Sequence, residues 1–332
     1  AAMEVSSHAL ALKRVDATRF SAAVFSNLTR DHLDFHGDME SYFQAKRRLF
    51  ELLPPEAPGV INVDDPRGPS LVPVVRHATT YAVKQPADVA PEPFELSLRG
   101  LTFTARTPRG PVAVRSSMVG RPNLYNILAA VATGVALDLP IAAIEAGVAN
   151  LPGVPGRFQV VSSPTDDVSV VVDYAHTDDA LKNLLETARA LSTGRLITVF
   201  GAGGDRDRTK RPLMGAVAGR MSDVVVVTSD NPRSEDPDAI IAEVLRGIPG
   251  AAPRNGSKTS RETTRGPEVL AIADRGEAVA RAIALARPGD LVIVAGKGHE
   301  RTQVIGDREL PFDDVVASGE ALARRRSTSR AS

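Results

Sequence analysis

The second half of the chain alternates apolar runs with amphipathic stretches. The apolar runs are rich in β-branched residues and bounded by polar ones, a pattern typical of strands buried on both faces of a sheet. They lie at Ser169–Val172, Arg195–Phe200, Asp223–Thr228 and Asp290–Ala295. The stretches between them predict helices at Asp178–Leu191, Lys210–Met221, Pro237–Leu245 and Glu277–Ala286. Such alternation indicates βαβ units, so we predict an α/β fold with a mostly parallel sheet.

The first half has a less regular pattern. After a short strand at Ser21–Ser26 comes a polar segment, Asn27–Asp38, predicted as a loop, and then an amphipathic helix capped by Asp38 or Ser41. The remaining predicted elements are strands at Gly59–Val63, Thr79–Val83, Glu95–Leu98, Leu101–Arg106 and Val112–Ser116, and helices at Asn123–Leu137 and Ile141–Ala149. The last three strands are spaced like a meander.

Three segments interrupt these patterns. Leu151–Gly156 (LPGVPG) can continue neither a helix nor a strand, so we place a domain boundary there. Pro249–Pro267 is polar and predicts a surface loop. The basic tail after Arg324 is predicted to fray.

Composition limits the classes of function. The 332 residues favour two domains, and 40 basic residues balance 40 acidic ones, which argues against nucleic-acid and membrane partners. The absence of cysteine excludes disulfides and thiolate chemistry, and is compatible with the cytoplasm, where we expect the protein to act. No segment reads as a signal peptide or a membrane span. Because the chain opens Ala1-Ala2-Met3, we expect it to be the inside of a longer protein.

A polar or glycine-rich loop follows each of four predicted strands in the second half. These loops are Asp173–His176, Gly201–Asp207, Asp230–Arg233 and Gly296–Glu300. The carboxyl ends of parallel strands meet at one edge of a sheet, so we expect the four loops to form one cleft. In Ser229–Asp236 (SDNPRSED), Arg233 carries a planar fork of donors suited to a carboxylate. On this segment alone, an ordinary turn with a solvated arginine is as good an interpretation.

Two nucleotide-binding patterns can be compared with these loops. The Gly201 loop follows a strand and precedes a helix, but Arg206 stands where a dinucleotide fingerprint needs its third glycine. A P-loop, G-x-x-x-x-G-K-[ST], occurs nowhere in the sequence. In the first half, a set of carboxylates and imidazoles could hold Mg²⁺, although each could equally be a solvated loop residue. The set is Glu4, Asp31, His32, Asp34 and His36.

Taken together, the motifs resemble those of the Mur ligases, the ATP-dependent amide-bond ligases of peptidoglycan synthesis. They run in family order as MEVSSHAL, NLTRDHLDFHGDMESYFQAK, NLYN, DYAHTDDAL, FGAGGDRDRTKRPLMG, DNPRSEDP, AGKGHE and PFDD. The resemblance implies the remainder of the central ATP and magnesium domain over residues 1–155, followed by a Rossmann-like C-terminal domain over 156–325 that binds an amino acid.

The resemblance also implies roles for single residues. Glu4, His32 and Lys46 match catalytic and magnesium-binding positions, and Lys46 matches a lysine that the family carbamylates. Ser6 and Arg14 match contacts to the UDP-N-acetylmuramoyl-dipeptide substrate. The positions that meet ATP are matched by Asn126, Arg157, Asp173 and His176. Those around the incoming amino acid are matched by Arg211, Asp230, Asn231, Pro232, Arg233, Gly296 and Glu300.

The form Asp-Asn-Pro-Arg at Asp230–Arg233 resembles the family branch that adds meso-diaminopimelate. This amino acid differs from lysine by one distal carboxylate, which an arginine fork can bind. The implied reaction activates a glutamyl carboxylate as an acyl phosphate, which the amine of the amino acid then attacks.

The chain also departs from the family pattern. The uridine-nucleotide domain and the P-loop that precede MEVSSH in the family are missing, so we expect a fragment that holds ATP and metal poorly. Pro122, Leu12 and Asp178 stand where the family has other residue types. The alternatives are an inactive or non-catalytic amino-acid-binding remnant, a lysine-adding ligase and a dinucleotide oxidoreductase. We expect a monomer.

Overall fold

The computed structural model describes residues 1–29, 32–250 and 266–329. Asp31, from the predicted metal-binding set, and most of the polar segment Pro249–Pro267 lie outside the described residues. The chain divides into two compact units, Ala1–Pro152 and Gly153–Ser332. Among the described residues, no helix is both long and apolar enough to cross a lipid bilayer.

Unit 1 contains a parallel sheet and an antiparallel one. The parallel sheet has the order β1 (Ala23–Phe25), β2 (Pro58–Asn62), β3 (His77–Tyr81). The antiparallel sheet consists of β4 (Ala90–Pro91), β5 (Glu95–Ser97), β6 (Gly100–Arg106) and β7 (Val112–Ser116). Strands β5 to β7 form the predicted meander. The helices are α1 (Ser7–Ala11), α2 (Leu33–His36), α3 (Met39–Glu51), α4 (Arg121–Ala136) and α5 (Ile141–Ala149), with a 3₁₀ helix at Gly68–Val74.

Helix α3 is amphipathic and begins where its cap predicts. The Asp38 carboxylate accepts a hydrogen bond from the Ser41 amide at 2.7 Å, as expected of an N-cap residue. Phe43 and Phe50 of this helix pack against the parallel sheet. The preceding segment was predicted as a loop throughout; that prediction was wrong for Leu33–His36, which form the short helix α2.

Unit 2 contains the sheet that the alternation predicted. Its order is β12-β11-β10-β13-β9-β8, and every neighbouring pair is parallel except β8 with β9. The strands are β8 (Gln159–Val160), β9 (Ser169–Asp173), β10 (Leu196–Phe200), β11 (Val224–Val227), β12 (Glu268–Ala271) and β13 (Leu291–Ala295). The central strands are buried on both faces because helices cover them. The predicted fold class is confirmed.

The helices of unit 2 are largely where the sequence predicted them. They are α6 (Asp178–Leu191), α7 (Lys210–Met221), α8 (Pro237–Leu245), α9 (Arg275–Leu285) and α10 (Asp314–Ser329). Local caps fix several starts: the side chains of Thr177, Asp236 and Asp274 accept hydrogen bonds from the first turns of α6, α8 and α9.

The last part of the chain departs from the prediction. A hairpin, β14 (Thr302–Ile305) with β15 (Arg308–Pro311), follows β13, and α10 then continues to Ser329. The tail after Arg324 was predicted to fray, and that prediction was wrong as far as Ser329, where α10 ends. Arg325 forms two hydrogen bonds with the Asp167 carboxylate, at 2.8 and 2.7 Å, and Arg326 pairs with Asp166 at 3.0 Å. These partners fix the last turns of α10 to the loop before β9.

Candidate amino-acid and nucleotide site

The four polar loops of unit 2 lie side by side at one edge of its sheet. In the register of the sheet, Asp173 pairs with Ala295, Ala295 with Phe200, and Phe200 with Val227. The strands β9, β13, β10 and β11 therefore end level with one another. The loops leave from these ends, so they lie at one edge of the sheet, as the sequence predicts.

Three predicted residues meet around a buried lysine. The Lys297 ammonium lies 3.0 Å from Oδ1 of Asn231, 3.1 Å from Oε2 of Glu300 and 3.7 Å from Oδ1 of Asp230. Asn231 also donates to Oε2 of Glu300 at 2.9 Å. Gln303 donates to the Asp230 carbonyl at 2.7 Å, which ties the loop to β14. Side chains from two loops thus form one charged group.

The neighbours of the Glu300 carboxylate keep it ionised. Burial alone would raise the pKa of Glu300, but hydrogen bonds from Asn231 and Lys297 and the charge of Lys297 outweigh it and lower that pKa. Oδ1 of Asp230 is buried and has no hydrogen-bond partner among the described residues. Gly296 stands beside it, since a Cβ there would lie 3.8 Å from the Asp230 carboxylate. Two carboxylates with one lysine leave a net negative charge for a cationic ligand group.

Arg233 has an unusual backbone that its neighbours hold in place. Its φ of 52° lies in the left-handed region, which is uncommon for a residue other than glycine. The Arg233 amide donates to the Val304 carbonyl at 3.0 Å, and its carbonyl accepts from Gly306 at 2.6 Å. Nη1 donates to the Gly204 carbonyl at 2.7 Å. This bond uses one of the five N–H donors of a guanidinium.

The glycine-rich loop after β10 packs directly on the Asp230–Arg233 loop. A Cβ on Gly204 would lie 1.8 Å from the carbonyl oxygen of Pro232, and the Gly204 amide donates to the Asn231 carbonyl at 2.9 Å. There is no space for a side chain at this contact. The glycines here therefore serve the close approach of two backbones.

Arg211, predicted to lie around the amino acid, is fully buried behind the glycine-rich loop. Its two Nη atoms donate to Glu235 at 2.8 and 3.0 Å, and Nη1 donates to Glu243 at 2.8 Å. Nη2 also donates to the Gly203 carbonyl at 3.1 Å. Hydrogen bonds from Arg211 and from the Asp205 amide lower the pKa of Glu235 to about 2. The charge of Arg211 is thus compensated by two carboxylates of its own unit.

A second buried arginine joins the ends of two loops. Arg275 of α9 binds Asp314 through Nε and Nη2, each at 2.7 Å, and neither side chain is exposed. Nη2 also donates to the Ala295 carbonyl at 2.9 Å, and Nη1 to the Ser229 carbonyl at 3.3 Å. The Asp230 and Gly296 loops are therefore anchored to α9 and α10 by one side chain.

The residues predicted to meet ATP lie on the neighbouring loop. The Asp173 carboxylate accepts from the Phe158 amide at 2.7 Å and the Ala175 amide at 2.8 Å, while burial raises its pKa. Nδ1 of His176 lies 3.0 Å from the Tyr174 carbonyl. The His176 carbonyl accepts from Nζ of Lys210 at 3.1 Å, and burial lowers the pKa of Lys210.

Aromatic rings and a guanidinium cluster at this loop. The Tyr174 ring lies 4.7 Å from the His176 ring and 5.1 Å from the His299 ring, and the Arg157 guanidinium lies 5.3 Å from its centre. The backbones of Gly156 and His299 meet here, since a Cβ on Gly156 would lie 2.3 Å from the His299 amide nitrogen. Flat rings beside a cation are suited to stacking a planar heterocycle.

In unit 1, the residues predicted to bind the nucleotide substrate and ATP lie on helices or at their ends. Ser6 caps α1, its hydroxyl accepting from the Ala9 amide at 3.1 Å, and Arg14 is exposed just beyond that helix. Asn126 is exposed on α4 and donates to Asn123 at 3.3 Å.

The predicted metal ligands of unit 1 form no complete donor set. Glu4 is exposed, His32 has a left-handed φ of 53° with its ring 4.8 Å from that of His8, and Lys46 lies 5.2 Å from the centre of the Tyr42 ring. Throughout the described ranges, no three His, Cys, Asp or Glu side chains are close enough to hold a metal ion. The ligands that the resemblance implies, Glu4, His32 and Lys46, supply two such side chains and a lysine whose unmodified ammonium is no ligand; Asp31 of the larger set lies outside the described residues. The magnesium site stays a prediction.

Three residues of the unit 2 site were not predicted. Lys297, Arg275 and Gln303 each join segments that are distant in the sequence. For Lys297 a signal was present, because it lies between the predicted residues Gly296 and Glu300. For Arg275 and Gln303, the sequence offers only the weak signal of a polar residue in a segment whose neighbours are buried.

Comparison with known families finds matches over most of the chain. A model described as "Mur ligase middle domain" matches residues 1–134, and one described as "Mur ligase, glutamate ligase domain" matches residues 156–298. Two curated relatives, from Gloeobacter violaceus and Geobacter metallireducens, are each 50% identical over 98% and 94% of this chain. Both are called UDP-N-acetylmuramoyl-L-alanyl-D-glutamate–2,6-diaminopimelate ligase.

Solved structures agree with these matches. One described as UDP-N-acetylmuramoyl-L-alanyl-D-glutamate–2,6-diaminopimelate ligase is 38% identical with a TM-score of 0.68, and covers 97% of this chain. A folylpolyglutamate synthase from Thermotoga maritima, at 17% identity and a TM-score of 0.61, shares the fold over 85% of this chain. This chain spans 63% of the Gloeobacter relative, 62% of the Geobacter relative and 64% of the first solved structure.

Proposed function

The chain belongs to the Mur ligase family, and on that premise we propose that it carries the amino-acid pocket of an ATP-dependent ligase for meso-diaminopimelate. The acceptor would be UDP-N-acetylmuramoyl-L-alanyl-D-glutamate, the substrate named in the relatives. Because the chain spans less than two thirds of those relatives, the activity is assigned to the longer protein. To this chain we assign recognition of the amino acid.

Arg233 lies on the same loop as Asp230, whose carboxylate shares Lys297 with that of Glu300, and this grouping carries the proposal. Meso-diaminopimelate has an ammonium and a carboxylate at each end, so its distal end needs an anionic partner and a cationic one. The carboxylates can take the ammonium, and the guanidinium of Arg233, held over the glycine-rich loop, can take the carboxylate. L-lysine lacks the distal carboxylate and would leave Arg233 unpaired. A site of this kind can reject the analogue by about 10⁴-fold.

The reaction we propose has two steps. The glutamyl carboxylate of the nucleotide substrate takes the γ-phosphoryl group of ATP, and ADP leaves. The amine of diaminopimelate attacks the acyl phosphate carbonyl and loses a proton, and phosphate leaves as the amide forms. Lys210 and Arg157 are cations at the loop edge that can offset the phosphoryl charge. The ring cluster around Tyr174 can stack a nucleobase.

Release of ADP tests this proposal. We would join this chain to the part of the Gloeobacter violaceus relative that it does not span, since the two are 50% identical. The extended protein should release ADP only with both the nucleotide-dipeptide and meso-diaminopimelate. L-lysine in its place should give a kcat/KM lower by about 10⁴-fold.

Two results would contradict the proposal. One is an extended protein that folds and binds ATP but releases no ADP with diaminopimelate. The other is equal turnover with lysine, which would favour a lysine-adding ligase. Binding of diaminopimelate by this chain without turnover in the extended form would instead favour a non-catalytic amino-acid-binding protein.

A further inference from the structure

Lys297 is a lysine with no exposed side-chain surface. Its ammonium has three N–H donors, and three side chains surround it: Asn231 at 3.0 Å, Glu300 at 3.1 Å and Asp230 at 3.7 Å. All three are residues predicted to bind the incoming amino acid. Because the ammonium donates to Asn231 and Glu300, forms an ion pair with Asp230 and has no exposed surface, Lys297 is not placed to touch the substrate.

The partners of Lys297 belong to two different loops. Asp230 and Asn231 follow β11, whereas Glu300 follows β13, and β10 lies between these strands in the sheet. Asn231 is held twice more, by donating to Glu300 and by accepting from the Val304 amide at 3.0 Å. The ammonium therefore joins two loops at the point where their carboxylates come together.

The charges explain why a cation is needed at this point. Asp230 and Glu300 lie 3.7 and 3.1 Å from the Lys297 ammonium, so two like charges face one cation, and the hydrogen bond and charge of Lys297 help to lower the pKa of Glu300. Two other cations lie near these carboxylates: Arg275 is committed to Asp314, and Lys210, which interacts with Asp230, donates to the His176 carbonyl. Lys297 is thus the cation that forms ion pairs with both carboxylates.

We infer that Lys297 is a positioning residue of the amino-acid pocket, which holds Asp230, Asn231 and Glu300 in the arrangement that receives the ammonium of the substrate's distal end. The inference rests on the proposed function and deepens it.

Replacement of Lys297 by methionine tests the inference, since methionine has a similar length and no charge. Lys182→Met is the matched control, because the Lys182 side chain is 56% exposed on α6 and its ion-pair partner, Oε1 of Glu186, lies 4.0 Å from Nζ, beyond hydrogen-bond distance. Calorimetric titration of meso-diaminopimelate into the full chain should give a dissociation constant about 100-fold higher for Lys297→Met. Lys182→Met should bind like the wild type. In a Glu300→Gln background, Lys297→Met should raise the dissociation constant by a smaller factor than it does in the wild-type background, because Lys297 and Glu300 act together.

A second measurement needs no ligand. Glu300 faces Lys297 and His299 of its own loop and Arg275 of α9, and it shares Lys297 with Asp230 of the loop after β11. Carbon-13 NMR of labelled glutamate should therefore show a rise in the Glu300 pKa of about one unit or more in Lys297→Met. If that variant does not fold, the charge-balanced Lys297→Met/Asp230→Asn takes its place, and should show a higher Glu300 pKa than Asp230→Asn alone.

The outcomes separate the two proposals. Wild-type binding of diaminopimelate that Lys297→Met retains, with the Glu300 pKa unmoved, would overturn the role of Lys297 and leave the proposed function standing. No binding by wild-type or extended protein would count against the proposed function. The NMR titration would still decide whether Lys297 holds Glu300 ionised.

Discussion

Arg275 and Asp314 form a two-point ion pair in which Nε and Nη2 each lie 2.7 Å from a carboxylate oxygen and neither side chain is exposed. The same guanidinium binds the carbonyls of Ser229 and Ala295, at the starts of two site loops. A pair of this kind supplies little net stability relative to apolar residues, but breaking it leaves a buried charge unpaired.

Removal of one partner of this pair should therefore be costly. We expect Arg275→Ala to lower the free energy of unfolding by about 3–5 kcal/mol, because Asp314 would stay buried without a partner. Urea unfolding measures this change. Arg301→Ala is the control, since Arg301 is 86% exposed and 3.9 Å from Asp313, and should cost less than about 1 kcal/mol. Equal losses in the two variants would contradict the account of the buried pair.

The contact between Gly204 and Pro232 makes a second prediction. Gly204→Ala would place a Cβ 1.8 Å from a backbone oxygen, so the two loops must separate. We expect Gly204→Ala to lower the free energy of unfolding by more than about 2 kcal/mol. Diaminopimelate binding should weaken as well. Gly319→Ala in α10 meets nothing within 4 Å and should instead stabilise the protein by about 0.5–1 kcal/mol. Tight binding by a stable Gly204→Ala protein would show that the loops need no such contact.

Glu235 should make stability depend on pH in the acid range. Its pKa falls from 4.5 to about 2 in the folded protein, through hydrogen bonds from Arg211 and the Asp205 amide. A lowered carboxyl pKa contributes stability that is present above pH 4.5 and is lost as the pH falls toward 2. In Glu235→Gln, urea unfolding at a series of pH values should therefore give a shallower decline between pH 4.5 and 2. An unchanged decline would mean that Arg211 does not hold this carboxylate ionised.

Much of unit 2 could be predicted because its signals are local. The bounds of α6 and α8 follow from amphipathic patterns, aided by the caps Thr177 and Asp236, whereas α7 has almost no amphipathic pattern and was predicted from its position between two strands. Strand β12 was missed because its short edge sequence is ordered by pairing with β11. The end of α10 was misjudged because Arg325 and Arg326 pair with aspartates 158 and 160 residues away.

The position of the candidate site could also be predicted from local signals, but the contacts within it could not. The order of strands and loops along the chain is enough to place Asp230, Arg233 and Glu300 on one edge of the sheet. The identity of their partners depends on contacts between loops. No sequence pattern predicts that Lys297 is buried beside Asp230 and Glu300, or that Arg211 binds Glu235 and Glu243.

The central claim is that Arg233 selects for the second carboxylate of the amino acid. The most direct measurement is the ratio of dissociation constants for L-lysine and meso-diaminopimelate, by calorimetry, in wild type and Arg233→Ala. Arg206→Ala, which removes an exposed arginine from the adjacent loop, is the control. We predict a wild-type ratio of up to about 10⁴ that is kept in the control and falls toward one in Arg233→Ala. An unchanged ratio in Arg233→Ala would contradict the account.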